Sequence, residues 1–225
     1  MGTHEDQADL RAAIEHTLLA ATATDADAAR LCEEAAAERF AGVCVQPVHV
    51  ARCRTLLSGT TVRVVTVVGF PLGANQGATK AFEAQLARAE GADELDMVLR
   101  LSSAKAGRWD EVEADIAAVV HAAGGAVVKV ILETGALDAG EKARACACAV
   151  EAGAQYVKTC TGFGPGQATV EDVALLARAV AGRALVKASA GIRTLAQARA
   201  LLDAGASRLG TSSGLAIVRE LAVHA

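Results

Sequence analysis

Short β-branched runs alternate with alanine-rich stretches of helical character from one end of the chain to the other. That alternation limits the possible folds more than any other feature, because it calls for parallel strands joined by crossover helices. Candidate strands fall at residues 13–17, 42–46, 62–68, 94–98, 127–132, 156–159, 184–188 and 207–210, the first and last being the weakest. Eight parallel strands with helices between them close into a (β/α)8 TIM barrel. The rival is a doubly wound open sheet. No G-x-G-x-x-G fingerprint follows an early strand, which favours the barrel. A length of 225 residues, 52% of them hydrophobic, is enough for one such domain. No linker or low-complexity segment divides the chain, so residues 1–225 are read as a single domain with a short N-terminal helical extension.

Helix punctuation agrees with this reading. Thr24 or Asp25 can cap a helix running to about Arg39. Asp138, Thr169 and Thr194 each stand just before a helical stretch, and Glu171 and Asp172 place acidic charge in a first turn. Gly91, Gly153 and Gly205 each precede a strand, in the pattern of a helix C-cap glycine.

The bulk numbers exclude several classes. Net charge is −4, no basic block occurs, and there is one Trp and one Tyr, so nucleic acid is not an expected partner. No apolar run approaches the roughly 20 residues of a membrane span. The N-terminal residues are polar and acidic, without the features of a secretory signal, and a cytoplasmic location is expected. Six cysteines occur without CxxC or zinc-like spacing, so reduced thiols and no metal site are expected.

Two lysines, Lys158 and Lys187, lie near the ends of consecutive candidate strands, each followed by hydroxyl-bearing and glycine residues. An ammonium leaves water at a cost of several kcal/mol, so this placement points to amine chemistry, a Schiff base with a carbonyl substrate. Active sites of barrels form at the carboxyl ends of the strands. Polar residues there are Glu15 and Thr17, Asp96, Glu133 and Thr134, Lys158 and Thr159, and Lys187 and Ser189. Strand alternation puts Lys158, Lys187 and Asp96 on faces that can converge. A nucleophilic lysine must titrate about three units below an ordinary one, worth about 4 kcal/mol. A second ammonium about 6 Å away contributes roughly 2.8 kcal/mol at an effective dielectric near 20, and desolvation supplies the rest. Lys187 is therefore expected to activate Lys158, with Asp96 holding Lys187 protonated. The competing reading is a structural ion-pair network of both lysines with Asp96, Glu133 and Lys129.

A phosphate site is a separate expectation. Ser189-Ala190-Gly191 ends one strand, and Gly210-Thr211-Ser212-Ser213-Gly214 ends the next and opens a helix. Glycine lets backbone N–H groups approach an anion, and a helix N-terminus carries partial positive charge. Gly191, Gly210, Ser212 and Ser213 are the candidate phosphate residues, with Thr159 and Gly162 expected to face the substrate and Gly162-Phe163-Gly164 as a further wall. His16 reads as a hydrogen-bonded structural histidine and Cys44 as a buried filler. Cys160 is placed beside the pocket, and the turn-rich residues 70–75 are placed over it.

Taken in order, these segments resemble the deoxyribose-phosphate aldolase family of class I aldolases. The matching stretches are Ile14-Glu15-His16-Thr17-Leu18-Leu19, Gly42-Val43-Cys44-Val45, residues 65–75, Ala92-Asp93-Glu94-Leu95-Asp96-Met97-Val98, residues 129–134, 157–164, 168–173 and 187–194, and Gly210 to Gly214. The resemblance implies a (β/α)8 barrel that reversibly cleaves 2-deoxy-D-ribose 5-phosphate to D-glyceraldehyde 3-phosphate and acetaldehyde, without metal or cofactor. It carries the Schiff-base role onto Lys158, proton relay onto Asp96 and Lys187, and phosphate binding onto Gly191, Gly210, Ser212 and Ser213. A homo-oligomer, dimeric or tetrameric, is expected. The chain departs from the family pattern in four places. Cys160 replaces a serine, Ala190 replaces the first glycine of a pair, Glu15 stands where many members carry Asp, and the tail through Ala225 lacks a terminal tyrosine. A methyl at Ala190 would be strained if that position needs positive φ.

Overall fold

The β-branched runs pair side by side in sequence order. In the computed structural model, which describes residues 10–223, eight parallel strands form a closed barrel with neighbours in chain order and β8 paired back to β1. The strands are β1 (Ile14–Leu18), β2 (Gly42–Val45), β3 (Arg63–Val68), β4 (Glu94–Val98), β5 (Val127–Ile131), β6 (Tyr156–Lys158), β7 (Leu185–Ser189) and β8 (Arg208–Thr211). All eight expected strands are present, with ends displaced by a residue or so. Residues 10–13 are helical. The rest of the expected N-terminal extension, and the last two residues of the tail, lie outside the described residues.

The helices between strands are α1 (Asp25–Glu38), α2 (Val50–Leu56), α3 (Gly77–Ala89), α4 (Leu101–Lys105), α5 (Trp109–Ala122), α6 (Ala139–Glu151), α7 (Val170–Val180), α8 (Leu195–Asp203) and α9 (Gly214–Val223). Thr24 and Asp138 close capping boxes, and Thr169 and Thr194 accept from the third backbone N–H of their helices, as their sequence positions imply. Gly91, Gly153 and Gly205 take φ of 103, 86 and 111°, so each supplies the left-handed residue that turns a helix into the next strand.

Alternation along each strand divides the side chains between two environments. Val43, Val45, Val64, Val68, Leu95, Met97, Val128, Val130 and Val186 are buried against the helix ring. Small residues such as Ala35, Ala84, Ala145, Ala149 and Ala198 are buried on the helices, letting these pack closely on the sheet. Branched apolar residues usually fill the inward positions of such a barrel. Here the upper part near β2 and β3 keeps a small apolar cluster of Leu19, Cys44, Val65 and Val67. Much of the remaining interior is charged, with Glu15, Asp96, Lys129, Lys158 and Lys187 all almost wholly buried.

Ala190 follows β7 with φ of 76°, the strained case the sequence flagged. A Cβ in this region costs roughly 1 kcal/mol that glycine avoids. Ala190→Gly is therefore expected to stabilise the fold by up to about 1 kcal/mol, read as a rise in the urea midpoint at unchanged m-value. A lowered midpoint would show that the methyl contributes packing that outweighs the strain.

Candidate active site

The register brings the sequence-predicted residues together. Lys158 on β6 lies directly opposite Lys187 on β7, and Asp96 on β4 opposite Lys129 on β5. All four sit on inward positions, so their side chains meet inside the barrel. Lys158 Nζ donates to Asp96 Oδ2 at 2.7 Å, and Lys187 Nζ donates to the same oxygen at 2.6 Å. The other carboxylate oxygen, Oδ1, accepts from Lys129 Nζ at 3.0 Å.

Two relationships differ from the sequence reading. Asp96 is not reserved for Lys187; it is shared by three lysines, and Lys187 has a second carboxylate partner in Glu15. Glu133 does not join the lysines. It sits at φ 56° and accepts hydrogen bonds from the backbone and hydroxyl of Thr161, so it anchors the loop after β6. A Cβ at Gly164 would lie 2.6 Å from Glu133 Oε2, so the glycine is what lets that loop wrap the carboxylate.

The electrostatics follow from burial opposed by charge. Burial works against ionisation of Asp96, but the ammonium groups of Lys129, Lys158 and Lys187 outweigh it and hold the carboxyl well below its ordinary range. Glu15 is likewise penalised by burial and lowered on balance by Lys129 and Lys187. Burial disfavours the charged form of Lys187, yet Asp96 and Glu15 overcome it and raise its pKa, keeping it a proton donor. Cys44 is pushed up to about 11, chiefly by burial, which fits a filler thiol.

A carboxyl with a depressed folded-state pKa stabilises the fold at neutral pH and loses that contribution as pH falls through the folded value. Stability is accordingly expected to hold level near neutrality and to decline as pH drops below the ordinary carboxyl values of 4.5 and 3.8. The raised pKa of Lys187 works at the other end, its contribution lasting until pH exceeds the ordinary 10.5. Urea midpoints measured from pH 7 to pH 3 check this; a flat profile contradicts it.

Above the cluster, at the carboxyl ends of the strands, a cavity of about 500 Å³ opens to solvent. Lys158 and, of the other predicted residues, Gly162, Gly191, Gly210 and Ser212 line it. Asp96 and Lys187 lie beneath, fully buried. Thr159 does not face the cavity: its hydroxyl donates to Ser189 O and accepts from Ser189 N, stitching β6 to β7. Strand alternation turns Thr159 away from the side that Lys158 occupies. Ser213 lines a neighbouring groove with His16, Arg30 and Arg219, and its backbone N–H donates to Thr211 Oγ1. Cys160 is buried outside the lining, its Sγ 3.3 Å from Thr134 Oγ1. His16 pairs through Nε2 with Glu34 at 2.8 Å, the structural role expected of it.

The rim suits an anion. Ala190 and Gly191 take successive left-handed conformations after β7, and a Cβ at Gly191 would lie 2.3 Å from Gln167 Oε1. Arg193, also on the lining, adds a cation there. Gly210 has a second use: a Cβ at this position would lie 3.1 Å from Lys187 Cε, so its absence leaves the channel that Lys187 follows to Asp96. Phe163, on the lining, meets Phe70 edge to face with ring centroids 5.3 Å apart, which joins the loop after β3 to the cavity wall. Sequence reasoning passed over Gln167 and Arg193; both follow the candidate motifs by a few residues, with no local signal that they turn inward.

A closed barrel presenting one lysine amine to a polar cleft, with a shared acid and a second lysine beneath it, belongs to the class of barrel enzymes equipped for imine chemistry on carbonyl compounds. Comparison with known proteins narrows the class. A sequence model described as DeoC/LacD family aldolase matches residues 7–220, and the chain belongs to that family. It is 53% identical over 205 residues to the deoxyribose-phosphate aldolase of Deinococcus radiodurans, covering 91% of this chain and 93% of that one. The enzyme of the same name from Thermus thermophilus is 53% identical over 210 residues, covering 93% and 96%. Among solved structures, a deoxyribose phosphate aldolase from Aeropyrum pernix, described as tetrameric, superposes with a TM-score of 0.91 at 33% identity, covering 97% of this chain and 93% of that one.

Proposed function

We propose that this chain is a class I aldolase, a lyase that reversibly cleaves 2-deoxy-D-ribose 5-phosphate to D-glyceraldehyde 3-phosphate and acetaldehyde in deoxyribose phosphate catabolism. The observation that carries the assignment of roles is the position of Lys158. Among Lys129, Lys158 and Lys187 it is the one on the cavity lining, and its Nζ rests on the oxygen that Lys187 also holds.

The Lys158 amine adds to the C1 aldehyde of the open-chain sugar, and water leaves to give an iminium. The C3 hydroxyl loses its proton, C3 becomes a carbonyl, and the C2–C3 bonding pair moves into the iminium to form an enamine. A proton then returns to C2, and water hydrolyses the resulting imine to acetaldehyde and free Lys158. Asp96 Oδ2, touching both amines, is the bridge over which Lys187 and Lys158 exchange protons. Gly191, Gly210 and Ser212, with Arg193, receive the phosphate at the far end of the cavity, which sets the distance between anion and carbonyl carbon.

Residues 1–225 act as one aldolase domain in this reading. Among the described residues no helix is long and apolar enough to cross a membrane. Six free, buried cysteines suit the reducing cytoplasm. Phe82 and Leu86, one helical turn apart on α3, are 66% and 51% exposed and supply an apolar stripe for a homo-oligomer, a dimer or tetramer.

Borohydride added with substrate is expected to fix a two-carbon adduct on the peptide holding Lys158, while an acetaldehyde assay reports the cleavage product. An adduct mapped to another lysine overturns the role of Lys158. Release of a different aldehyde or ketone points instead to another Schiff-base sugar-phosphate aldolase.

A further inference from the structure

The ion-paired cluster inside the barrel, which Glu133 does not join, carries more positive than negative groups. Three carboxylates, Glu15, Glu94 and Asp96, face four cations, Lys129, Lys158, Lys187 and Arg208. Arg63 also reaches Glu94 at 3.2 Å, but its side chain is about half exposed and water screens it. A buried cluster of one excess charge is costly, and the imine role proposed above, which needs one uncharged amine, removes that excess.

The contacts decide which. Arginine does not deprotonate in proteins. Lys129 touches three carboxylates, at 3.3, 2.6 and 3.0 Å. Lys187 touches two, Glu15 and Asp96. Lys158 touches one, and it alone of the three reaches the cavity. Lys129 Nζ lies 5.9 Å and the Arg208 guanidinium 6.0 Å from the centroid of the Tyr156 ring, which favours both as cations.

Arg208 has no direct hydrogen bond into this cluster. Its Nε lies 3.6 Å from Glu15 Oε1, and both atoms are buried without a hydrogen-bond partner. Its remaining donors reach Tyr156 Oη and Ala12 O at the floor of the barrel. Its role there is charge at a distance. We infer that Arg208 is a positioning residue for the aldol reaction, the fixed floor cation whose charge makes the interior neutral when Lys158 is the uncharged amine. This rests on the imine role of Lys158 proposed above.

Lys158 is faced by Asp96 from β4, Lys187 from β7, Cys44 from β2, Glu15 from β1, Lys129 from β5, Tyr156 below it on β6 and Arg208 from β8, with Glu94 and Arg63 further down and Glu133 and Arg193 toward the mouth. Neutralising Arg208 removes a floor charge without breaking a hydrogen bond made by Lys158, Lys187 or Asp96. In Arg208→Gln the interior keeps three carboxylates against three amines, so an uncharged Lys158 leaves a net negative cluster. The acid limb of the kcat/KM profile, and the pH midpoint of borohydride trapping, are expected to move about one unit to higher pH. Arg208→Lys is expected to return both toward wild type. Damage by loosened packing alone lowers the amplitude and leaves the midpoints in place, and that result overturns the inference. Should Arg208→Gln fail to fold, Glu15→Gln gives the opposite test: removing an anion moves the same midpoints to lower pH, and an unmoved or raised midpoint overturns the inference. If the wild type traps no adduct at any pH, the imine reading itself falls; a wild type that traps normally beside an unmoved Arg208→Gln midpoint sinks only the role of Arg208.

Discussion

Lys158→Leu is expected to lower kcat/KM for cleavage of the deoxyribose phosphate by at least about 10³-fold and to abolish borohydride-trappable mass. The size follows from the loss of the covalent route: without an iminium the C2–C3 electrons have no sink, and no other amine can take over. Lys187 and Lys129 are both fully buried below the cavity, and each is tied to two or more carboxylates. Leucine keeps the side chain only as far as Cδ, but Asp96 retains Lys129 and Lys187 as partners, so the fold is expected to survive. Circular dichroism and thermal melting separate loss of chemistry from loss of structure. A folded variant with more than about a tenth of wild-type turnover contradicts the assignment.

The second large effect is expected at Asp96, in stability as well as rate. Asp96→Asn preserves the shape of the side chain but removes the one charge that Lys129, Lys158 and Lys187 share. The amide also turns an acceptor into a donor on one side, where one or two ammonium groups already donate. Breaking a fully buried pair costs about 3–5 kcal/mol because the partner charges remain without compensation. Glu15 and Glu94 still hold Lys129, and Glu15 still holds Lys187, so the lower half of that range is the better expectation. Removing a group that carries protons between two amines lowers kcat by about 10²–10⁴-fold. Urea denaturation and steady-state kinetics on the same preparation test both parts. An Asp96→Asn protein as stable as wild type would mean that the carboxylate is not the shared anchor its contacts describe.

Much of the site was readable because alternation along a strand is a local rule. It groups Lys158 with Tyr156, Lys187 with Ser189 and Asp96 with Glu94 on one face of each strand, and barrel closure makes that face the inward one. The same rule turns Thr159 outward once β6 is seen to end at Lys158, and the sequence reading erred there by treating each polar residue near a strand end as a lining residue. The glycines at 91, 153 and 205 and the caps Thr24, Asp138, Thr169 and Thr194 were equally legible, since a cap needs only its own turn. Ala190 stood out only through the family resemblance, where a glycine is usual, and the structure supplies the φ of 76° that strains its methyl.

Less could be read where partners come from distant segments. Glu15 and Lys187 are 172 positions apart and meet because β8 closes onto β1. The assignment of Lys129 to three carboxylates brings together side chains of three strands, β1, β4 and β5. Arg208 at the start of a weak strand carried no signal at all. Its distance from Glu15, and its place beside the Tyr156 ring that Lys129 also approaches, arise from closure alone.

By itself the sequence determined the order of eight strands and their helices, several of the caps that start and stop them, and which residues share a strand face, since each depends on neighbours a few positions away. Only the tertiary structure decided which amine meets which carboxylate, and so which lysine is left with a single partner at the cavity. Coulomb energy depends on separation in space, and separation here is set by barrel closure and strand register rather than by spacing along the chain.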